Sequence, residues 1–246
     1  MSVIKRKTKR RRKKMAKKEF FNGIKDSLPV GVGYFAVSFG FGISAVGIGI
    51  KLLEATLISL TNLTSAGQFA ALAVIASAAP FINMVITQAV INSRYFLMGL
   101  ALSQRLGNDF GIGSRLIISF YNTDEIFAIA MSRGTRLTKP YMFGLGPLPI
   151  IGWSLGTFLG AFAGTVLPAN VTAALGVALY GMFVAIVVPQ VKNDKTMAVA
   201  ALLAASLSCV FTFVPVLSSL SGGVAVVIVT VVVAAICAVL FPEEDE

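Results

Sequence analysis

Apolar runs about twenty residues long follow one another down the chain, separated by short polar or turn-forming stretches. A helix needs about 20 mostly apolar residues to cross a bilayer, and about eight stretches qualify. They cover residues 28–50, 56–79, 81–104, 114–133, 141–164, 171–190, 196–217 and 221–241. This pattern predicts an all-α, polytopic membrane protein. The fourth run carries Asn122, Thr123, Asp124 and Glu125 at its centre and is expected to break there. The connections are short and rich in turn formers (Pro80, Pro168-Ala169-Asn170, Ser221-Gly222-Gly223), so no soluble domain is inserted.

Composition agrees with lipid as the solvent. Hydrophobic residues make up 56% of the 246 and charged residues 13%, against about 45–50% and about 25% in soluble domains. The mean hydropathy is +0.84. The formal net charge of +10 would suggest a nucleic-acid partner if it were spread over a face. Instead, residues 1–18 hold 11 of the 21 basic residues and no acid, leaving 10 basic against 11 acidic residues in 19–246. Residues 1–18 therefore read as a basic, disordered tail, with Met15 a plausible alternative start, and 19–246 as a single transmembrane domain. No nucleic-acid partner is expected.

Loop charges set the orientation. With the N-terminus in the cytoplasm, the inner segments hold the tail, then Arg133, Arg136 and Lys139, then Lys192 and Lys195, whereas the outer loops hold Lys51, Arg105 and Arg115. Positive residues favour the cytoplasmic side, so both termini are expected there, in a multi-pass protein of the plasma membrane. No signal peptide is evident, since the first apolar run is too long for one.

Missing chemistry narrows the function. Cys209 and Cys237 both lie in apolar runs and there is no histidine, so His-based catalysis, a zinc site and a disulfide framework are not expected. No G-x-x-x-x-G-K-[ST] phosphate loop is present. An aspartyl dyad needs carboxylates facing each other from different segments, and only the fourth segment has deep ones. The reading is a protein that is not an enzyme, with no cofactor and no metal.

Polar residues inside the runs carry the remaining information. Gly152, Gly156, Gly160 and Gly164 recur every four residues and form a flat stripe for close helix packing; Gly33, Gly40, Ser44 and Gly47 form a looser version in the first run. In the second run Thr61, Thr64, Ser65 and Gln68 fall at i, i+3, i+4 and i+7, one side of a helix that Ala66-Gly67 interrupts. Such a stripe faces either interhelical contacts or a wet cavity. The third run holds Thr87, Gln88, Asn92 and Arg94. Arg cannot shed its charge, so Arg94 needs a partner at mid-membrane, and Asp124 or Glu125 of the fourth run is the obvious one. Two acids and one Arg leave one carboxylate over, which could hold a proton or meet a substrate ammonium. The competing interpretation is a structural bridge between helices.

These residues resemble a known family. Ala66-Gly67-Gln68-Phe69, Asn92-Ser93-Arg94-Tyr95 and Thr123-Asp124-Glu125 are similar to motifs of the AzlC family, as are Leu28-Pro29-Val30-Gly31, Phe39-Gly40-Phe41-Gly42 and Trp153 ahead of Gly156-Thr157. The resemblance runs from about Phe20 to Phe241, with its specific motifs concentrated in the first half. It implies the large subunit of an exporter of branched-chain amino acids, working with a small AzlD-like membrane subunit. The family often has His where this chain has Tyr95, so any coupling role of that His falls here to Asp124 or Glu125. A faint internal echo between residues 34–47 and 153–164 suggests a repeat, a common way of building transporters.

The expected function is therefore a secondary transporter exporting hydrophobic amino acids. Gln68, Asn92, Arg94, Asp124, Glu125, Thr61, Thr64 and Ser65 are the candidate pathway residues, and Phe69 and Phe96 candidate pocket walls. The alternative is a channel or non-transporting assembly subunit whose charges only bridge helices.

Overall fold

The computed structural model describes residues 2–107, 109–134, 136–168, 194–218 and 222–241, together with residues 170, 188, 191 and 192. Every element among them is a helix: α1 Ser2–Gly47, α2 Leu52–Thr61, α3 Ala66–Ala76, α4 Phe81–Arg105, α5 Ile112–Phe120, α6 Asp124–Ser132, α7 Lys139–Leu145, α8 Pro147–Val166, α9 Lys195–Phe213, α10 Pro215–Ser218 and α11 Gly222–Leu240. Four helical stretches of the described residues are long and apolar enough to cross a membrane: Lys13–Gly47, Phe81–Arg105, Lys139–Val166 and Lys195–Phe213. The expected run 171–190 lies outside the described residues apart from residue 188.

Two differences from the sequence pattern concern continuity. Residues 2–18 extend α1 as helix, whereas the basic stretch was expected to be a disordered tail. Lys, Arg, Ala and Met are good helix formers and no Gly or Pro occurs before Gly23, so nothing local breaks the helix. The second run is two helices, not one. Asn62 leaves α2 in an extended conformation, its side chain accepts the Thr64 N–H at 2.9 Å, and Ser65 enters α3 at φ +46°. A left-handed non-glycine residue is costly, so the break is a built feature. The fourth run breaks where its polar centre predicted, between Phe120 and Asp124.

The described chain forms two compact units. The first contains Met1–Val46, Ile50–Thr64 and Arg94–Val166. Its core is built around Trp153, Tyr141, Met142, Leu145, Ile118 and Ile126, all essentially inaccessible. The four glycines of α8 lie against α1. A Cβ on Gly152 would collide with the Gly31 carbonyl, on Gly156 with the Phe35 carbonyl and Ser38 Oγ, on Gly160 with the Phe39 carbonyl, and on Gly164 with Val46. At Gly152, Gly156 and Gly160 these are backbone contacts, which only glycine permits, whereas Gly164 meets the Val46 side chain. The face of α1 they meet differs from the expected one: Gly31 and Gly42 press on α8, while Gly33 and Gly47 have nothing near them. Residues 31, 35, 38 and 42 share one helical face, and 33 lies on roughly the opposite side. The Ser59 and Thr157 hydroxyls, 2.7 Å apart and fully buried, tie α2 to α8 as well.

One end of this unit is closed by charge. Arg133 pairs with Glu19 at 2.7 Å and stacks over the Tyr141 ring at 3.6 Å, and the Tyr141 hydroxyl donates to Asp26 at 2.8 Å. Gly23 and Gly144 let α1 and α7 touch backbone to backbone beside this network.

The second unit contains Gly47–Gly49, Ser65–Ser93 and Leu167–Glu246. Here α11 packs on α9 and on α3. Val74 and Leu72 of α3 are its most enclosed apolar side chains among the described residues, followed by Val229 and Val233 of α11. Asp194 caps α9 by accepting the Thr196 N–H at 2.7 Å.

Candidate functional site

The centre of the fourth run is a designed interruption. Tyr121 ends α5, its hydroxyl donates to the Met142 carbonyl at 3.0 Å, and its ring lies against Gly146 between α7 and α8. Asn122 and Thr123 bridge to α6, whose first turn carries Asp124 and Glu125. Acids in a first helical turn complement the partial positive charge of the free N–H groups. Tyr121→Phe is expected to cost about 1 kcal/mol by leaving the Met142 carbonyl without this donor. A lowered midpoint of thermal unfolding in detergent, with normal membrane insertion, would register it.

Arg94 on α4 reaches this turn. Its Nη1 lies 2.7 Å from Asp124 Oδ2, and both side chains remain partly open, 43% and 46% exposed. The Tyr95 ring stands 5.2 Å from the guanidinium. Glu125 is exposed and receives the Tyr34 hydroxyl at 2.5 Å. Tyr34 is itself buried, with its ring edge-on to Trp153 at 5.3 Å. Thus α8 holds Trp153, Trp153 holds Tyr34, and Tyr34 holds Glu125. Two neutral groups complete the setting: Asn122 and Thr123 are buried, and Asn122 Oδ1 makes no hydrogen bond.

The other sequence candidates fall elsewhere. Thr61 closes α2 and its hydroxyl donates to the Leu57 carbonyl at 2.7 Å. Thr64 lies in the break, with Oγ1 buried and without a partner. Ser65 and Gln68 belong to the second unit, at the start of α3, where Gln68 is buried. The four therefore do not form one helical face, because Asn62 and Ser65 interrupt the backbone whose periodicity was assumed. In the second unit Gln88 donates to the Gly67 carbonyl at 2.8 Å, and Asn92 donates to Gln88 at 2.9 Å. Asn92 Oδ1 has no partner. Candidate wall Phe96 is 76% exposed. Among the described residues there is no group of His, Cys, Asp and Glu suited to hold a metal.

Tyr34, Trp153 and Asn122 are the residues the sequence did not select for the site. The echo between 34–47 and 153–164 begins at Tyr34 and at Trp153, but only a contact across 119 residues shows that the two rings meet.

Four helical stretches of this length and apolarity, one of them carrying Arg94 in a pair with Asp124, define a helical membrane protein. The chain belongs to the AzlC family: the family pattern, described as AzlC protein, matches residues 29–167. It is 30% identical over 202 residues to "Inner membrane protein YgaZ" of Escherichia coli (strain K12), covering 79% of this chain and 82% of that one. It is 27% identical over 176 residues to an uncharacterized membrane protein of Archaeoglobus fulgidus, covering 71% and 77%. A membrane protein of Helicobacter pylori (strain 26695), likewise uncharacterized, is 28% identical over 156 residues, covering 60% and 67%. No solved structure matches the chain.

Proposed function

We propose that this protein is a secondary transporter that exports branched-chain or other hydrophobic amino acids across the plasma membrane, without enzymatic activity. About eight spans, both termini in the cytoplasm and a small AzlD-like membrane subunit complete the proposal. The observation that carries it is the openness of the Arg94–Asp124 pair beside an exposed Glu125. A bridge that only holds helices together would be packed in, since charge facing hydrocarbon is costly. Charges left open at a helix break are instead placed to receive something polar. A zwitterionic amino acid needs donors for its carboxylate and an anion for its ammonium, and Arg94 with the two acids supplies both kinds. The exposed apolar side chains of α4 and α5, among them Leu97, Leu100, Leu116 and Ile117, suit lipid or the small subunit.

Isoleucine efflux from preloaded cells is the test, comparing wild type with Arg94→Gln, Asp124→Asn and Glu125→Gln at matched protein levels. Each variant is expected to slow efflux, Arg94→Gln the most. Unchanged efflux in all three would rule out the site.

A further inference from the structure

Two carboxylates begin α6, and they are not equivalent. Asp124 is neutralised by Arg94 at 2.7 Å. Glu125 pairs with no cation among the described residues; its hydrogen-bond partner is a neutral phenol, Tyr34 Oη. With both acids ionised, Arg94, Asp124 and Glu125 carry one uncompensated negative charge, and it resides on Glu125. A lone charge within a spanning segment calls for a cation.

Two further groups say what kind of cation. Asn122 and Thr123 are 7% and 5% exposed, and Asn122 Oδ1 is buried without a hydrogen bond. They sit in the break that leads directly into the first turn of α6. Thr123 also borders the Tyr34 hydroxyl that grips Glu125. Buried polar atoms are ordinarily satisfied, and an amide oxygen can be satisfied only by a donor. Asn122 and Thr123 stand three and two residues before this carboxylate, in the turn that opens α6, and a primary ammonium, with three N–H donors, is the cation that an amide oxygen and a hydroxyl there could help to hold. A proton is the other cation a carboxylate takes.

We infer that Glu125, positioned by Tyr34, is the one carboxylate for which the substrate ammonium and a proton compete, with Asn122 and Thr123 as the neutral acceptors of the ammonium. This rests on the exporter reading above. Protonated Glu125 is neutral and does not hold an ammonium; ionised Glu125 does. The two cations therefore occupy the residue in turn. Release of substrate outside lets Glu125 take a proton from solvent there, and loss of that proton inside restores the anion that receives the next substrate. No bond other than O–H forms or breaks. Tyr34 is a positioning residue, since it touches Glu125 and is held by Trp153. The groups facing Glu125 are Tyr34 from α1, Arg94 and Tyr95 from α4, and Asp124 and Thr123 from its own segment.

Uptake of radiolabelled isoleucine into inside-out membrane vesicles containing the full chain together with its small membrane subunit tests this. In wild type the half-saturating isoleucine concentration should rise as the pH on the outer face of the vesicles falls, by up to about tenfold per pH unit on the acid side, with the maximal rate unchanged. An acidic vesicle interior should stimulate uptake. Glu125→Gln should abolish both responses, and Glu125→Asp should restore them at a reduced rate. Tyr34→Phe should displace the pH profile while the rate at its optimum stays within a few-fold, whereas a merely structural role would lower the rate evenly at every pH. Asp124→Asn should slow uptake but keep the pH dependence. If wild type transports and Glu125→Gln retains the pH dependence, or Asp124→Asn abolishes it instead, the assignment to Glu125 is overturned and the exporter reading stands. If wild-type vesicles take up no isoleucine beyond control vesicles, the exporter reading fails and takes this inference with it.

Discussion

Replacing Arg94 by Gln should reduce isoleucine efflux at least tenfold. Asp124 would then be left without its cation at 2.7 Å. Removing one partner of a fully buried pair costs about 3–5 kcal/mol because the other charge is stranded. The Arg94–Asp124 pair is nearly half open, so screening reduces that figure, and about 1.5–3 kcal/mol remains, corresponding to roughly 10-fold to 150-fold. Arg94→Lys should recover part of the loss by restoring the charge without the planar guanidinium. Arg94→Gln combined with Asp124→Asn should be less harmful to folding than either change alone, because no charge is stranded. Efflux measured beside membrane protein levels separates the two effects. A purely structural bridge would show both efflux and protein level recovering together in the double variant, whereas a transport site would show recovery of protein level alone.

Gly160→Leu should have the largest effect on the fold. A Cβ at this position would overlap the Phe39 carbonyl, and backbone cannot move aside as a flexible side chain can. Overpacking costs about 1–3 kcal/mol where neighbours adjust, and here about 3 kcal/mol or more is expected because α1 and α8 must separate. That separation would also loosen Trp153 from Tyr34. Detergent-extracted protein should be largely lost or aggregated in size-exclusion chromatography. Gly33→Leu on the opposite side of α1, with nothing within 4 Å, is the matched control and should behave like wild type. Equal behaviour of the two variants would refute the packing described for α8.

Much of this was legible in the sequence because lipid imposes a simple rule. Residues 81–104 were expected to be helical and α4 spans Phe81–Arg105, since nothing in that run competes with helical hydrogen bonding. The break at 121–123 was legible because four polar residues interrupt an apolar run. The break at 62–65 was not. The polar spacing of Thr61, Thr64, Ser65 and Gln68 records where side chains would fall on a helix, but it does not report that Asn62 captures the Thr64 N–H. Spacing is a statement about polarity, and a side chain that competes for backbone groups can override it.

The site was half legible for a similar reason. Arg94, Asp124 and Glu125 stand out because charge is rare in spanning helices. Which acid Arg94 takes, and what holds the other, depends on a contact between residues 91 apart, Tyr34 and Glu125. A buried tyrosine in an apolar helix is unremarkable until its partner is known. The glycine stripe of α8 was plain from its period, but the face of α1 that receives it was not, because several small residues on α1 offered themselves and only the register of contact selects Gly31 and Gly42.

Saturable, valine-competed isoleucine uptake into inside-out vesicles carrying the full chain together with its small membrane subunit is the most direct measure of the central claim. The expected result is uptake well above control vesicles in wild type, falling at least tenfold in Arg94→Gln at equal protein content. Uptake in wild type no greater than in control vesicles, or uptake in Arg94→Gln equal to wild type, would contradict the assignment of this open pair to amino-acid export.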